Sequence, residues 1–334
     1  MARLLSLIGA PGAQILCFHG ITTPELASRS DVHLPVAKFK SLIAGARRVG
    51  RLVPLQDLVA RHRAGRSTAG LVAVTLDDAY ASLLGETADF IRREAIPLTV
   101  FVVANAATYG SAYWWDRIDD LFPQVPRERW RAFEDAVGLP SQYRNGQPAE
   151  YGPLRPLRQW ILAAHKGRCV GELDQLLMEL EHERGTRTAH RSMTFTELAS
   201  FAALPSVTLG VHTVSHPVLP LLGDDELRGE IAASHDALRE RFQNVLPILA
   251  IPFGLFDDRT VRVARQAGMT TSLTLAGTTF NPDSDGDDLP RFCITRNDTA
   301  FKLQLRLSRG ALLARLRRPR LTPSRYPALP SPTT

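Results

Sequence analysis

Cysteine is scarce in this chain, with Cys17, Cys169 and Cys293 the only three in 334 residues. An odd count without paired ligand spacing excludes a disulfide framework or a cysteine-based zinc module. Cys17 and Cys293 lie in apolar, strand-like runs and read as reduced core thiols. Also absent is any apolar run of the ~20 residues that a membrane-spanning helix needs. The stretch 1–13 leads straight into a strand-like segment at 14–18, so no signal peptide is expected and the chain reads as cytoplasmic. No internal repeat is visible. Acidic residues are missing from the C-terminal end: from Thr299 onward there are eight Lys or Arg and no Asp or Glu. The net charge of +6 therefore belongs to the tail, and the rest is close to neutral. No nucleic-acid recognition motif accompanies that charge, and no nucleic-acid partner is expected.

What is present is a rhythm. Ile15-Leu16-Cys17-Phe18 reads as a strand ending at His19. An amphipathic helix over 36–50 and a shorter one over 56–63 lead to Leu71-Val72-Ala73-Val74-Thr75-Leu76, an apolar strand covered on both faces. A helix over 79–93 and a strand over 98–103 follow. The stretch 106–190 offers three helical patterns and no good strand, and reads as an inserted helical segment. The alternation resumes with a helix over 194–203, where Thr194 and Glu197 stand at the capping-box offset. Strands at 207–211, 247–252, 271–275 and 292–295 complete the count, separated by helices at 224–242 and 257–267. Seven strands alternating with helices predict an α/β fold, a distorted seven-stranded (β/α) barrel with a helical insertion after strand three. A doubly wound open sheet is the alternative. In both, sites gather at the carboxyl ends of strands. The barrel is expected over 1–300, a basic amphipathic helix over 301–320 and a disordered tail over 321–334.

The strand at 71–76 ends in Asp77 and Asp78. Alternation sends two adjacent side chains in different directions. Two carboxylates this close repel unless a cation neutralises them. The bland alternative is that Asp78 caps the following helix. After the strand at 207–211 comes Val211-His212-Thr213-Val214-Ser215-His216-Pro217, where two histidines four apart face one way on a helical turn. One carboxylate and two imidazoles make a three-ligand set with an open position, as catalytic zinc requires. The acidic run at 283–288 lacks the order of an EF-hand and reads as a turn.

With these motifs the sequence resembles the polysaccharide deacetylases of the NodB-homology, carbohydrate esterase family 4 type. The residues that carry the resemblance are Thr75-Leu76-Asp77-Asp78-Ala79, His212 to Pro217, and Ile251-Pro252-Phe253-Gly254, in the family's order. The resemblance covers roughly 15–296, with the helical stretch as an extra. It implies that Asp77 is the general base, that Asp78, His212 and His216 hold a divalent metal, with zinc the expected ion, and that the backbone N–H of Phe253 holds the oxyanion. Three departures stand out. Ala79 replaces a usual Gly, a mild change if that residue has helical dihedrals. Ala250 replaces an Arg that braces the base, a role that Arg291 or Arg296 could take over. The terminal acid His is absent, and His19 is the candidate acid, as in a subgroup acting on poly-N-acetylglucosamine.

Trp114 and Trp115, with Pro252, Arg291 and Arg296, are candidate substrate contacts. The expected substrate is a carbohydrate or a glycolipid precursor. The basic segment 301–320 suggests peripheral contact with the inner face of a membrane. The alternatives are a deformylase-like or non-sugar amide hydrolase on the same fold, and a weakly active carbohydrate-binding relative.

Overall fold

The protein is represented by a computed structural model, which describes residues 12–24, 26, 28, 30–141, 154–168, 171–185, 188–275 and 288–305. Cys169, most of the acidic run, the basic segment beyond residue 305 and the C-terminal tail lie outside the described residues. No described helix is long and apolar enough to cross a membrane.

Eleven short strands are described: β1 Gln14–Phe18, β2 Ile21–Thr22, β3 Leu34–Pro35, β4 Arg51–Leu52, β5 Leu71–Leu76, β6 Leu98–Val102, β7 Val207–Val211, β8 Val245–Ala250, β9 Thr271–Thr274, β10 Asp288–Pro290 and β11 Phe292–Cys293. The central sheet follows the path β10-β9-β8-β7-β6-β5-β1-β11, with β4 added beside β5. All its pairings are parallel, as helical crossovers on one outer face require.

The path has eight strands, not the expected seven. The strand expected over 292–295 is β11, and an extra strand, β10, precedes it across Arg291. β10 pairs with β9 at one end of the sheet. β11 pairs with β1 at the other. One short piece of chain thus spans the gap that would leave the barrel open, with the Arg291 N–H donating to the Thr274 carbonyl at 2.9 Å.

Side-chain alternation sorts the strands into two apolar groups. Leu16, Phe18, Val72, Val74 and Leu76 face outward to Phe39, Leu42 and Ile43 of the helix Val36–Val49. Ile15, Ala73, Phe101, Ala250, Leu273 and Leu289 face the lumen, joined by Leu55, Leu58 and Val59 of the helix Leu55–Arg63. The lumen is tight: a Cβ added at Gly210 would sit 2.3 Å from the Phe101 ring.

The described part of 106–190 contains the helices Trp114–Leu121, Arg127–Ala136, Arg155–Ala164 and Glu172–Arg184. They share an apolar cluster built on Trp114, Ile118, Trp130, Leu157 and Leu177, against which Phe253 packs. A bridge from Ala112 to Arg191 ties its two ends.

Two local expectations fail. The helix read over 79–93 starts only at Glu86. Before it, Asp78 and Ala79 have φ of 69° and 47°, Tyr80 bridges to Ser192, and a short 3-10 turn covers Ala81–Leu83. Asp78 is therefore no helix cap, and Ala79 lacks the helical dihedrals that would make its replacement of Gly mild. The two histidines also do not ride a helical turn. They sit on an irregular loop with positive φ at Thr213 and His216.

Candidate metal centre and catalytic carboxylate

β5, β6, β7 and β8 run in parallel, with one register shift between β7 and β8, so the chain leaving each arrives at the same end of the barrel. Asp77 and Asp78 leave β5, the histidine loop leaves β7, and Phe253 follows β8. Of the seven described non-glycine residues with positive φ, Asp78, Ala79, Thr213, His216 and Phe253 lie in these three segments. Strain of about 1–3 kcal/mol per such residue persists where surrounding contacts hold it. Glu230, on the helix Asp224–Arg239, supplies many of those contacts. Its carboxylate accepts from the N–H groups of Val214 and Ser215, both at 2.9 Å, and from the Ser215 hydroxyl at 2.6 Å. It is paired with Arg168. The Thr213 hydroxyl accepts from the His216 N–H at 3.0 Å.

The two aspartates diverge, as alternation predicts. Asp77 points into the lumen, where Arg291 meets it with two parallel bonds of 2.7 Å. The guanidinium is fully buried, donates also toward the Thr75 hydroxyl at 3.3 Å, and lies over the Phe101 ring. Cys17 Sγ donates to Asp77 Oδ2 at 3.3 Å. Burial alone would raise the Asp77 pKa, but the charge of Arg291 outweighs it and holds the carboxyl well below the usual range.

Asp78 turns toward the histidines. Its Oδ1 lies 3.5 Å from His212 Nε2 and 3.6 Å from His216 Nε2, and these two nitrogens are 3.2 Å apart. The Nδ1–H of His212 donates to the Ala250 carbonyl at 2.8 Å, which leaves Nε2 as the bare lone pair. Burial lowers the pKa of both imidazoles, so they are neutral ligands at pH 7. Burial, then the neighbouring Asp77 charge, raises that of Asp78. Asp78 Oδ1 is buried without a hydrogen-bond partner. The bare His212 Nε2 lone pair and the orphaned Asp78 oxygen face each other at 3.5 Å, a repulsion that a cation between them relieves. The three donors fit a divalent ion on this ground, and their ligand atoms all lie within 4.8 Å of one another.

His19, half-buried at the end of β1, also reaches this end of the barrel. It has a ring nitrogen within 4.8 Å of Cys17 and Asp77 ligand atoms. Burial lowers its pKa to about 4. Phe253 has φ 57° and ψ 2° and sets its ring 4.4 Å from that of His216. The turn there uses the N–H groups of Gly254 and Leu255, leaving that of Phe253 outside its ladder. Pro252 is buried and starts the turn. Trp115 lies half-buried, stacked on Tyr113 at 4.7 Å and 4.9 Å from His216. Trp114 is instead in the core of the helical segment, its indole N–H donating to Gly167.

Arg291 clamps Asp77 from inside the barrel rather than offering itself to a substrate. Arg296 is remote from the carboxylates. Its guanidinium donates to the carbonyls of Ser28 and His33, which pins the preceding loop.

The sequence reading missed several neighbours. Cys17 could have been found by alternation, since it lies two residues from His19 on the same strand face. Glu230 carries no local signal. Nor does the buried network in which Tyr80 donates to Asp116 at 2.6 Å, Trp115 donates to Tyr80 at 3.0 Å and Tyr113 donates to the Asp78 carbonyl at 2.7 Å.

The polysaccharide deacetylase family model matches residues 191–272, which bears out the resemblance carried by the motifs. That segment holds His212, His216 and Phe253. No curated relative matches the chain. Among solved structures, IcaB from Ammonifex degensii shares 17% identity at a TM-score of 0.59, covering 89% of this chain and 97% of that one. Streptococcus pyogenes deacetylase PplD in complex with acetate shares 14% at 0.57, covering 89% and 98%. A de-N-acetylase from Aggregatibacter actinomycetemcomitans shares 13% at 0.54, covering 88% and 99%. At these identities the likeness establishes the α/β barrel fold.

Proposed function

We propose that this chain is a metal-dependent hydrolase that removes the N-acetyl group of an amino sugar in a polysaccharide or a lipid-linked glycan precursor. One observation carries the reading. Asp78, His212 and His216 converge, while a second carboxylate, Asp77, stands 3.9 Å from His212 Nε2 and is clamped in its ionised form by Arg291. When bound at Asp78, His212 and His216, a divalent ion supplies a Lewis acid to the amide carbonyl and to water. Zinc suits a set of two imidazoles and one carboxylate.

Asp77 takes the proton from the attacking water as its oxygen bonds to the carbonyl carbon. The Phe253 N–H donates to the oxygen that becomes negative. The C–N bond then breaks, and the amine leaves with a proton passed through His19. Acetate and a free amino sugar result. Trp115, Tyr113 and Phe253 wall the site and limit water around it.

Both the family match and the deacetylase descriptions of PplD and the Aggregatibacter protein support an acetyl group as the one removed. Arg291 supports an active enzyme over a binding relative, since it restores the brace that Ala250 lacks. Placement at a membrane through residues 301–320 rests on charge pattern alone. Sedimentation with anionic liposomes tests it, and equal pelleting without those residues would refute it.

The function is tested by acetate release from N-acetylglucosamine oligomers, with metal content measured in parallel. Acetate release that follows metal content, and a loss of about 10²-fold or more in Asp77→Asn, is the expected result. Release of formate instead would favour the deformylase-like reading. His19→Ala should lower the rate by about 10²-fold on the same substrates, and an unchanged rate would remove His19 from the mechanism.

A further inference from the structure

We propose that Cys17, His19 and Asp77 form a second, weaker site for a zinc ion, and that filling it inhibits the enzyme. These three residues offer one sulfur, one nitrogen and one oxygen, all within 4.8 Å of one another. The sulfur lies 3.3 Å from Asp77 Oδ2. His19 Nδ1 is buried without a hydrogen-bond partner. An ion entering here takes the place of the thiol proton, which leaves to solvent, and the thiolate, imidazole and carboxylate become its ligands. A thiolate with an imidazole selects zinc over magnesium or calcium.

The order of filling follows from the charges. Arg291 already holds both oxygens of Asp77. Its guanidinium repels a second cation in the same buried space. Among the described residues no side chain bonds to Asp78 Oδ1, so the set Asp78, His212 and His216 fills first. The two sites adjoin, since His212 Nε2 is 3.9 Å from Asp77 Oδ2. The consequence for catalysis rests on the proposed role of Asp77. A carboxylate ligated to zinc no longer accepts the water proton, so full occupation should lower the rate by about 10²-fold or more, the contribution of a general base.

Cobalt(II) titration of the full chain tests the binding without reference to turnover. The first equivalent should give imidazole–carboxylate spectra. The second should add a thiolate-to-cobalt charge-transfer band in the near ultraviolet. Cys17→Ser should bind the first equivalent, which shows that it folds, and lose the band and the second equivalent. Cys293→Ser should keep both. With zinc, inhibition should appear only beyond one equivalent, should be absent with excess magnesium, and should be lost in Cys17→Ser measured against its own one-equivalent rate. A thiolate band in the first equivalent, no second equivalent at any concentration, or a second equivalent that survives Cys17→Ser would each overturn the site. Binding as expected with no deacetylase activity in any arm would refute the function proposed for Asp77 and leave the site standing.

Discussion

Replacing Arg291 with Met is the sharpest test of how this barrel makes a base. The guanidinium is fully buried and makes two bonds of 2.7 Å to Asp77, itself 2% exposed. Met fills much of the same volume without charge. Breaking one side of a buried ion pair costs about 3–5 kcal/mol, because the remaining charge is left unpaired. The pH behaviour should change with it. In the native chain the Asp77 pKa is depressed, so its stabilising contribution is complete above the ordinary Asp value of about 3.9 and is lost as pH falls toward the lower folded value. In Arg291→Met the strongest lowering influence is gone and burial raises the pKa, so destabilisation appears at neutral pH. The carboxyl is then protonated where the base must be ionised. Urea unfolding at pH 7 should show the loss of about 3–5 kcal/mol. The acid limb of the kcat/KM profile should move up toward neutrality, with a fall of about 10²-fold at pH 7. Arg291→Lys keeps the charge but not the paired geometry and should fall between. An acid limb that stays in place, with metal content unchanged, would refute the assignment of Arg291 as the brace.

Three further outcomes follow from the geometry. Ala79 holds φ 47°, a conformation that strains L residues by roughly 1–2 kcal/mol. Ala79→Gly should therefore raise stability by about 0.5–1 kcal/mol in urea melts, after allowing for the greater freedom of Gly when unfolded. Glu230→Ala frees two N–H groups and a hydroxyl of the histidine loop and should weaken metal affinity about 10–100-fold, read by chelator competition. His33 is fully buried against Tyr80 and His190, 3.4 Å from Asp116, and burial lowers its pKa from about 6.5 to about 2. Unfolding exposes it to protonation, so stability should fall by up to about 1.4 kcal/mol per pH unit as pH drops below about 6.5. His33→Gln should flatten that slope.

The motifs were legible because each is local. Leu71 to Asp78 is five apolar residues, one Thr and two charges, and no arrangement buries the strand without bringing the charges to the edge of the core. The capping box at Thr194 and Glu197 is equally local and is present. The helix expected over 79–93 was half wrong for a local reason with a distant cause. Tyr80 pairs with Ser192 and the Ala79 carbonyl accepts from Met193, so contacts from more than a hundred residues away override helix propensity. The seven-strand count failed in the same way, since nothing near Arg291 shows that its two flanking strands belong to opposite ends of one sheet.

The sequence by itself determined the alternation of strands and helices and the identity of the candidate ligand set Asp78, His212 and His216, because side-chain chemistry and periodicity are written residue by residue. Tertiary structure alone decided which arginine faces Asp77, which carboxylate holds the histidine loop, and that Cys17 lies against Asp77. These depend on the closure of the barrel, which brings residues 17, 77 and 291 into one lumen. Coulombic and hydrogen-bond energies fall off over a few ångströms, so they follow distance in space and not separation along the chain.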